Sequence, residues 1–225
     1  MEFENAALQN DHLIRKWANI ALVGIVSSAT LEVIVQALPP HYSIAQAEGD
    51  LVIGPYGLLM NVCFFLRAFF ACYLTLALLR CIKQSPLASL GLGFLAFWGA
   101  CSLFLGIFNA DIADSLQPLR VTPYGQIHQI LLTLSFTCAP VALLLISLSF
   151  QIVYRFKPLS MPALVIAIIC VISFVFLGQG GIYAHIYGIF ERICVGLLLL
   201  WCALAAMHLR RPNPNNFIPF NSGKS

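Results

Sequence analysis

Six apolar runs constrain this chain more than any other feature. They cover about 17–38, 56–79, 88–109, 124–150, 161–179 and 187–208. Each is close to the roughly 20 residues that a helix needs to cross the hydrocarbon of a bilayer. A backbone in lipid must satisfy its own hydrogen bonds, which leaves helices or closed barrels. Runs this long and continuous read as helices, not as alternating strands. The expected fold is all-α: a polytopic membrane protein with six transmembrane helices. The breaks "LPPHYS", "RCIKQSP", "NADIADSLQP", "YRFKPLSMP" and "GQGG" carry Pro, Gly or charge. The fifth run has the least defined end. Pro140 falls inside the fourth and is expected to kink it.

Composition agrees. The chain is 60% hydrophobic and 9% charged, with a mean hydropathy of +0.88, whereas soluble domains are about one quarter charged. The net charge of +3 lies in short clusters and gives no nucleic-acid surface. The expected partner is membrane lipid. The acids and bases among the first sixteen residues, and the length of the run that follows, argue for a retained first span over a cleaved signal peptide. The eight cysteines lie in or beside apolar runs and form no C-x-x-C pair. They are expected to serve as small apolar residues, with neither a disulfide framework nor a zinc knuckle.

Charge sets the expected orientation. Arg15, Lys16, Arg80, Lys83, Arg155, Lys157, Arg210, Arg211 and Lys224 all fall on one side of the six runs. By the positive-inside rule that side is cytoplasmic, so both termini are expected inside. This gives a cytoplasmic tail at 1–16, a membrane domain at 17–208 and a disordered cytoplasmic tail at 209–225. The opposite side holds Glu48, Asp50, Asp111, Asp114 and Arg120.

A short motif recurs at the outer starts of the even-numbered spans: "PYGLLMNV" from Pro55, "PYGQIHQI" from Pro123 and "IYGIFERI" from Ile186. The tyrosines are 68 and 63 residues apart, about one helical hairpin each. The chain therefore reads as three tandem helical hairpins. Tyr suits the interface, Pro the first helical turn, and Gly a close approach. Four residues past each Tyr stand Met60, His128 and Glu191; five past stand Asn61, Gln129 and Arg192. At 1.5 Å per residue they share a depth about 6–8 Å below the helix starts.

Glu32, Asn109, Asp111 and His185 belong to the same outer half, and Arg67 lies deeper in the second span. Ionisable groups within spans are costly and mark functional sites by default. One account is mutual compensation, Glu32 with Arg67 and Asp111 with His128 or Arg192. Another is a site: Asp111, His128 and Glu191 as catalytic groups, with Glu32, Asn61, Arg67, Gln129 and Arg192 binding a substrate headgroup. His128, His185 and Asp111 would also make a three-ligand zinc site with an open position.

"GDLVIGPYGLLMN", "GIFNAD", "YGQIHQILLTLSF" and "GIFERICVGLLLLWCALAAMHL" follow one another in that order. In this the chain resembles the prokaryotic membrane family known as domain of unknown function 998. The resemblance runs from the first span to the end of the sixth. It rests on Gly54 through Gly57, Phe108 with Asp111, His128, and Glu191 with Arg192. Two positions depart from the family pattern: Arg67 stands where a small residue is usual, and Gly49 where Ser often precedes the acid. The resemblance implies six helices and a prokaryotic plasma membrane, and brings no activity.

Three functions fit these residues. An intramembrane enzyme acting on a lipid or isoprenoid of the outer leaflet comes first. A small transporter or channel subunit comes second, and a non-catalytic partner or sensor third.

Overall fold

The computed structural model describes residues 2–39, 48–82, 85–111, 122–178 and 187–212. These form six long helices: α1 (Glu2–Ala37), α2 (Gly57–Ile82), α3 (Pro86–Leu105), α4 (Pro123–Phe150), α5 (Lys157–Gly178) and α6 (Tyr187–Leu209). Short 3-10 turns stand at Glu48–Val52 and Tyr154–Phe156, and no strand occurs among the described residues. All six helices are long and apolar enough to cross a membrane. The protein is thus an all-α, multi-pass membrane protein. Helix α1 begins at Glu2, well before the first apolar run, because no Gly or Pro interrupts the chain there. Helix α4 stays helical through Pro140, which takes the usual N–H donor away from the Phe136 carbonyl.

The helices pack in chain order around the bundle, and α1 closes against α6. The connections from α2 to α3 and from α4 to α5 are short and make those pairs antiparallel neighbours. At one end Arg155 donates to the carbonyls of Leu209 and Arg211 at 3.1 and 3.0 Å, and lies 3.6 Å from Asp11. The start of α1, the α4–α5 connection and the end of α6 therefore share that end. Just above it Phe150 stacks between Phe156 and Trp201, with ring centroids 4.4 and 5.7 Å away. The Trp201 indole N–H is satisfied by the Ser147 hydroxyl at 2.9 Å.

Elsewhere the interior is aliphatic and aromatic, with Phe70, Leu74, Leu95 and Leu143 fully enclosed. Large apolar side chains such as Val33, Leu58, Ile130 and Ile168 cover the outside. In water such a surface would aggregate; in a bilayer it is the solvated face. Six of the eight cysteines are buried in this packing, and the thiols of Cys170 and Cys194 meet at 3.5 Å between α5 and α6.

Candidate functional site

The polar residues gather at the opposite end, beneath the turn Glu48–Val52. Arg67 lies ten residues into α2, about 15 Å along the helix. A guanidinium at such a depth needs partners. Its Nη2 donates to Glu32 Oε2 of α1 at 2.6 Å and to Glu48 Oε1 at 2.5 Å. Arg67 and Glu48 are buried, and Glu32 is nearly so.

Glu48 reaches this place because its turn folds into the bundle. Leu51 and Val52 are buried against Met60, Cys63 and Phe64. The Glu48 backbone N–H then donates to Glu191 Oε2 of α6 at 2.6 Å, and Glu191 is 1% exposed. One turn thus ties α1, α2 and α6 together through charge. Burial pushes the Glu48 carboxyl up from its ordinary 4.5 to about 7, against the pull of the Arg67 guanidinium. Its Oε2 is buried with no hydrogen-bond partner. At the rim, Arg192 donates to Gln36 Oε1 at 2.7 Å and to the Gly188 carbonyl at 3.0 Å.

The repeated Tyr-Gly motif has a structural cause. Gly57, Gly125 and Gly188 are all buried. A Cβ on Gly57 would collide with the Val52 carbonyl, and one on Gly125 with the Asp111 carboxylate. At Gly57 and Gly125 the absent side chain lets the preceding segment lie directly on the helix start. Four residues past each Tyr, Met60, His128 and Glu191 all point into the bundle and are at most 1% exposed.

Asp111 and His128 do not pair. Asp111 accepts from the Thr122 backbone N–H at 2.8 Å and from its hydroxyl at 2.5 Å, and that hydroxyl caps α4 by accepting from Gly125 N–H. His128 Nδ1 lies 2.7 Å from the Phe108 carbonyl. A carbonyl only accepts, so Nδ1 carries the proton and Nε2 of the neutral ring offers a lone pair. That Nε2 is buried without a partner, 3.6 Å from where a Gly49 Cβ would stand. Of the compensating pairs expected from sequence, Glu32–Arg67 forms. Asp111 is bound to Thr122 and Arg192 to Gln36, because each carboxylate or guanidinium takes the nearest segment end.

Asn61 is half-buried, with an unpartnered Oδ1. Gln129 is exposed in a surface groove beside Thr133, Phe136 and Tyr187. His185 lies outside the described residues. Among the described residues no three His, Cys, Asp or Glu side chains gather as a metal site would require.

A narrow cavity opens below the charged cluster. Glu48, Arg67 and Glu191 form its polar end; Phe64, Trp98, Phe136 and Leu198 line its apolar body, with Ser102 and Ser135 between. The centre of a water molecule can move through about 20 Å³ of it, space for very few waters without rearrangement.

Sequence reasoning missed Glu48, which reads as a solvated loop acid. Two signals pointed to it: an apolar "LVI" inside the connection from α1 to α2, and a deep arginine with one obvious counter-ion.

Six membrane-crossing helices around an end-on cluster of buried charges define a small polytopic bundle with an internal polar site. The chain belongs to the family described as "Protein of unknown function (DUF998)", whose model matches residues 22–208. That span contains every residue of the cluster and the cavity. No curated protein and no solved structure matches the chain.

Proposed function

We propose that the protein is a plasma-membrane binding protein or small transporter that holds a small molecule in the cavity beneath the Glu48–Val52 turn. One observation carries this reading. Glu48, 3% exposed, keeps one carboxylate oxygen unpartnered at the polar end of an otherwise apolar cavity. A buried polar oxygen left without a partner is costly, and a ligand group at that oxygen would relieve the cost. Arg67 and Glu191 fix its position from α2 and α6, and the turn above separates it from the outer solution.

The expected outcome is a small molecule that stays with the protein through purification. Native mass spectrometry of the full chain released from mild detergent should show it on the wild type. It should be absent from Ser135→Trp, which fills the cavity below the cluster. Identical spectra for the two proteins would remove the reading.

A second reading has its own observation. The tautomer fixed by the Phe108 carbonyl makes His128 Nε2 a buried base facing the same turn. That geometry suits an intramembrane enzyme acting on a lipid or isoprenoid, with or without zinc at His128. Turnover of outer-leaflet lipid extract that is lost in His128→Ala would favour it over transport.

A further inference from the structure

The end of the bundle opposite the Glu48 turn is strongly basic. Nine of the twelve basic residues stand on that side of the six helices against three acids, Glu2, Glu4 and Asp11, a formal charge of +6. This total includes the side chains in the connections and in the tail after α6. Contacts hold the groups at one level. Arg155 reaches the carbonyls of Leu209 and Arg211 and the carboxylate of Asp11. Arg80 donates to Asn10 Oδ1 at 3.3 Å.

The three acids do not neutralise this surface. Asp11 is 4% exposed and faces Arg15 and Arg155, so its charge is matched inside the packing. Glu2 and Glu4 stand at the start of α1, before Asp11 in the same helix. At 1.5 Å per residue they lie roughly 10–14 Å farther along it, beyond about one Debye length at physiological salt. Lys16, Arg80, Lys157, Arg210 and Arg211 are exposed, and none pairs with a carboxylate among the described residues.

One place in this field has a shape. An open groove runs past Tyr154, Arg155, Lys157 and Pro158 at the start of α5, and the centre of a water molecule can move through about 400 Å³ of it. Arg155 is occupied by its carbonyls and Asp11, which leaves the exposed Lys157 ammonium to meet a ligand. Apolar surface adjoins that cation. Tyr154 is 71% exposed, and Met161, also exposed, stands one turn from Lys157 on the same face of α5. A free anion would use only the ammonium. Cation and apolar surface side by side, at the end of membrane-crossing helices, match an amphiphile with a negative head.

We infer that the groove at the start of α5 seats the headgroup of an anionic phospholipid, with its phosphate on Lys157 and the Tyr154 hydroxyl and its first methylenes against Met161. The lipid belongs to the leaflet at the basic end. The other exposed cations of that end concentrate such lipids around the groove. No bond is made or broken.

The test is native mass spectrometry of the full chain in mild detergent. Dioleoylphosphatidylglycerol is titrated against dioleoylphosphatidylcholine, which has the same chains and no net charge. The first phosphatidylglycerol should bind at least about fivefold more tightly than phosphatidylcholine, the worth of one cation near a membrane surface. Lys157→Gln should weaken it by about the same factor, and Tyr154→Ala should weaken it further. Lys157→Arg keeps the charge and should bind as the wild type does. Arg210→Gln removes a cation from the same end but outside the groove, and should have a smaller effect than Lys157→Gln. Equal preference for the two lipids overturns the sign of the site. Equal losses in Lys157→Gln and Arg210→Gln overturn the groove and leave only a diffuse field. A loss in Lys157→Arg as large as in Lys157→Gln overturns the role of the charge. Glycerol 3-phosphate, which has the phosphate and no chains, should not displace the lipid; displacement would overturn the assignment to a lipid in favour of a free phosphate.

Discussion

Replacing Arg67 by methionine removes the cation but keeps most of the side-chain volume. Two unit charges 4 Å apart attract by about 4 kcal/mol at an effective dielectric of 20. Arg67 makes two contacts of this kind, at 2.6 Å to Glu32 and 2.5 Å to Glu48, and the repulsion between the two carboxylates offsets part of the sum. The variant leaves those carboxylates facing each other out of water. Breaking a buried pair from one side costs about 3–5 kcal/mol, and that is the expected loss of stability at pH 7. Glu48→Gln alone should cost little, because Arg67 still has Glu32 and burial already disfavours the ionised Glu48. The double variant Arg67→Met/Glu48→Gln removes a charge of each sign, so its loss should fall short of the sum of the singles by about 1–3 kcal/mol. The assay is unfolding by SDS in mixed micelles, followed by tryptophan fluorescence. Losses that add to within about 0.5 kcal/mol would show that Glu48 and Arg67 do not interact. The account of Glu48 as a counter-ion that ties its turn to α2 would then fail.

Other outcomes follow from the same geometry. Gly125→Ala drives a methyl into the Asp111 carboxylate and should cost about 1–3 kcal/mol; Asp111→Ser in the same chain should recover part of it. Glu48 has a folded-state pKa raised from 4.5 to about 7, so its contribution to stability is full below about pH 4.5 and is lost as pH rises to about 7 and beyond. Thermal melts in detergent from pH 4.5 to 8 should fall over that window in the wild type and flatten in Glu48→Gln. Ser147→Ala strands the buried Trp201 N–H, now bonded at 2.9 Å, and should cost about 1–3 kcal/mol in the SDS assay. Reporter fusions at residue 225 should be active only for a cytoplasmic reporter if the basic clusters set the orientation.

How much was legible in the sequence depends on the range of the force concerned. The six helices follow from hydropathy and span length, which are local. Their starts were legible too: Pro-Tyr-Gly marks α2 and α4, and Tyr-Gly marks α6. The shared offset of Met60, His128 and Glu191 was legible as a common depth; that all three point inward is what the packing added. The Glu32–Arg67 pair was legible because both are charges in lipid-length runs with few alternatives.

The role of the glycines was only half legible. Close approach was legible, but at Gly57 and Gly125 the neighbour is the preceding segment, not another helix. Glu48 and the disposal of Asp111 were not legible. Glu48 stands in a connection, where an acid is ordinarily solvated. It becomes a site residue because Leu51 and Val52 carry the turn inward and the backbone N–H meets Glu191, 143 residues away. Asp111 and His128 sit close enough to invite pairing, yet Thr122 and the Phe108 carbonyl satisfy them first.

Hydrophobic length, additive along the chain, thus determined by itself a six-span helical protein. Only the tertiary structure decided which charges meet. That choice depends on hydrogen-bond geometry over a few ångströms between segments far apart in sequence, and no local pattern encodes such distances.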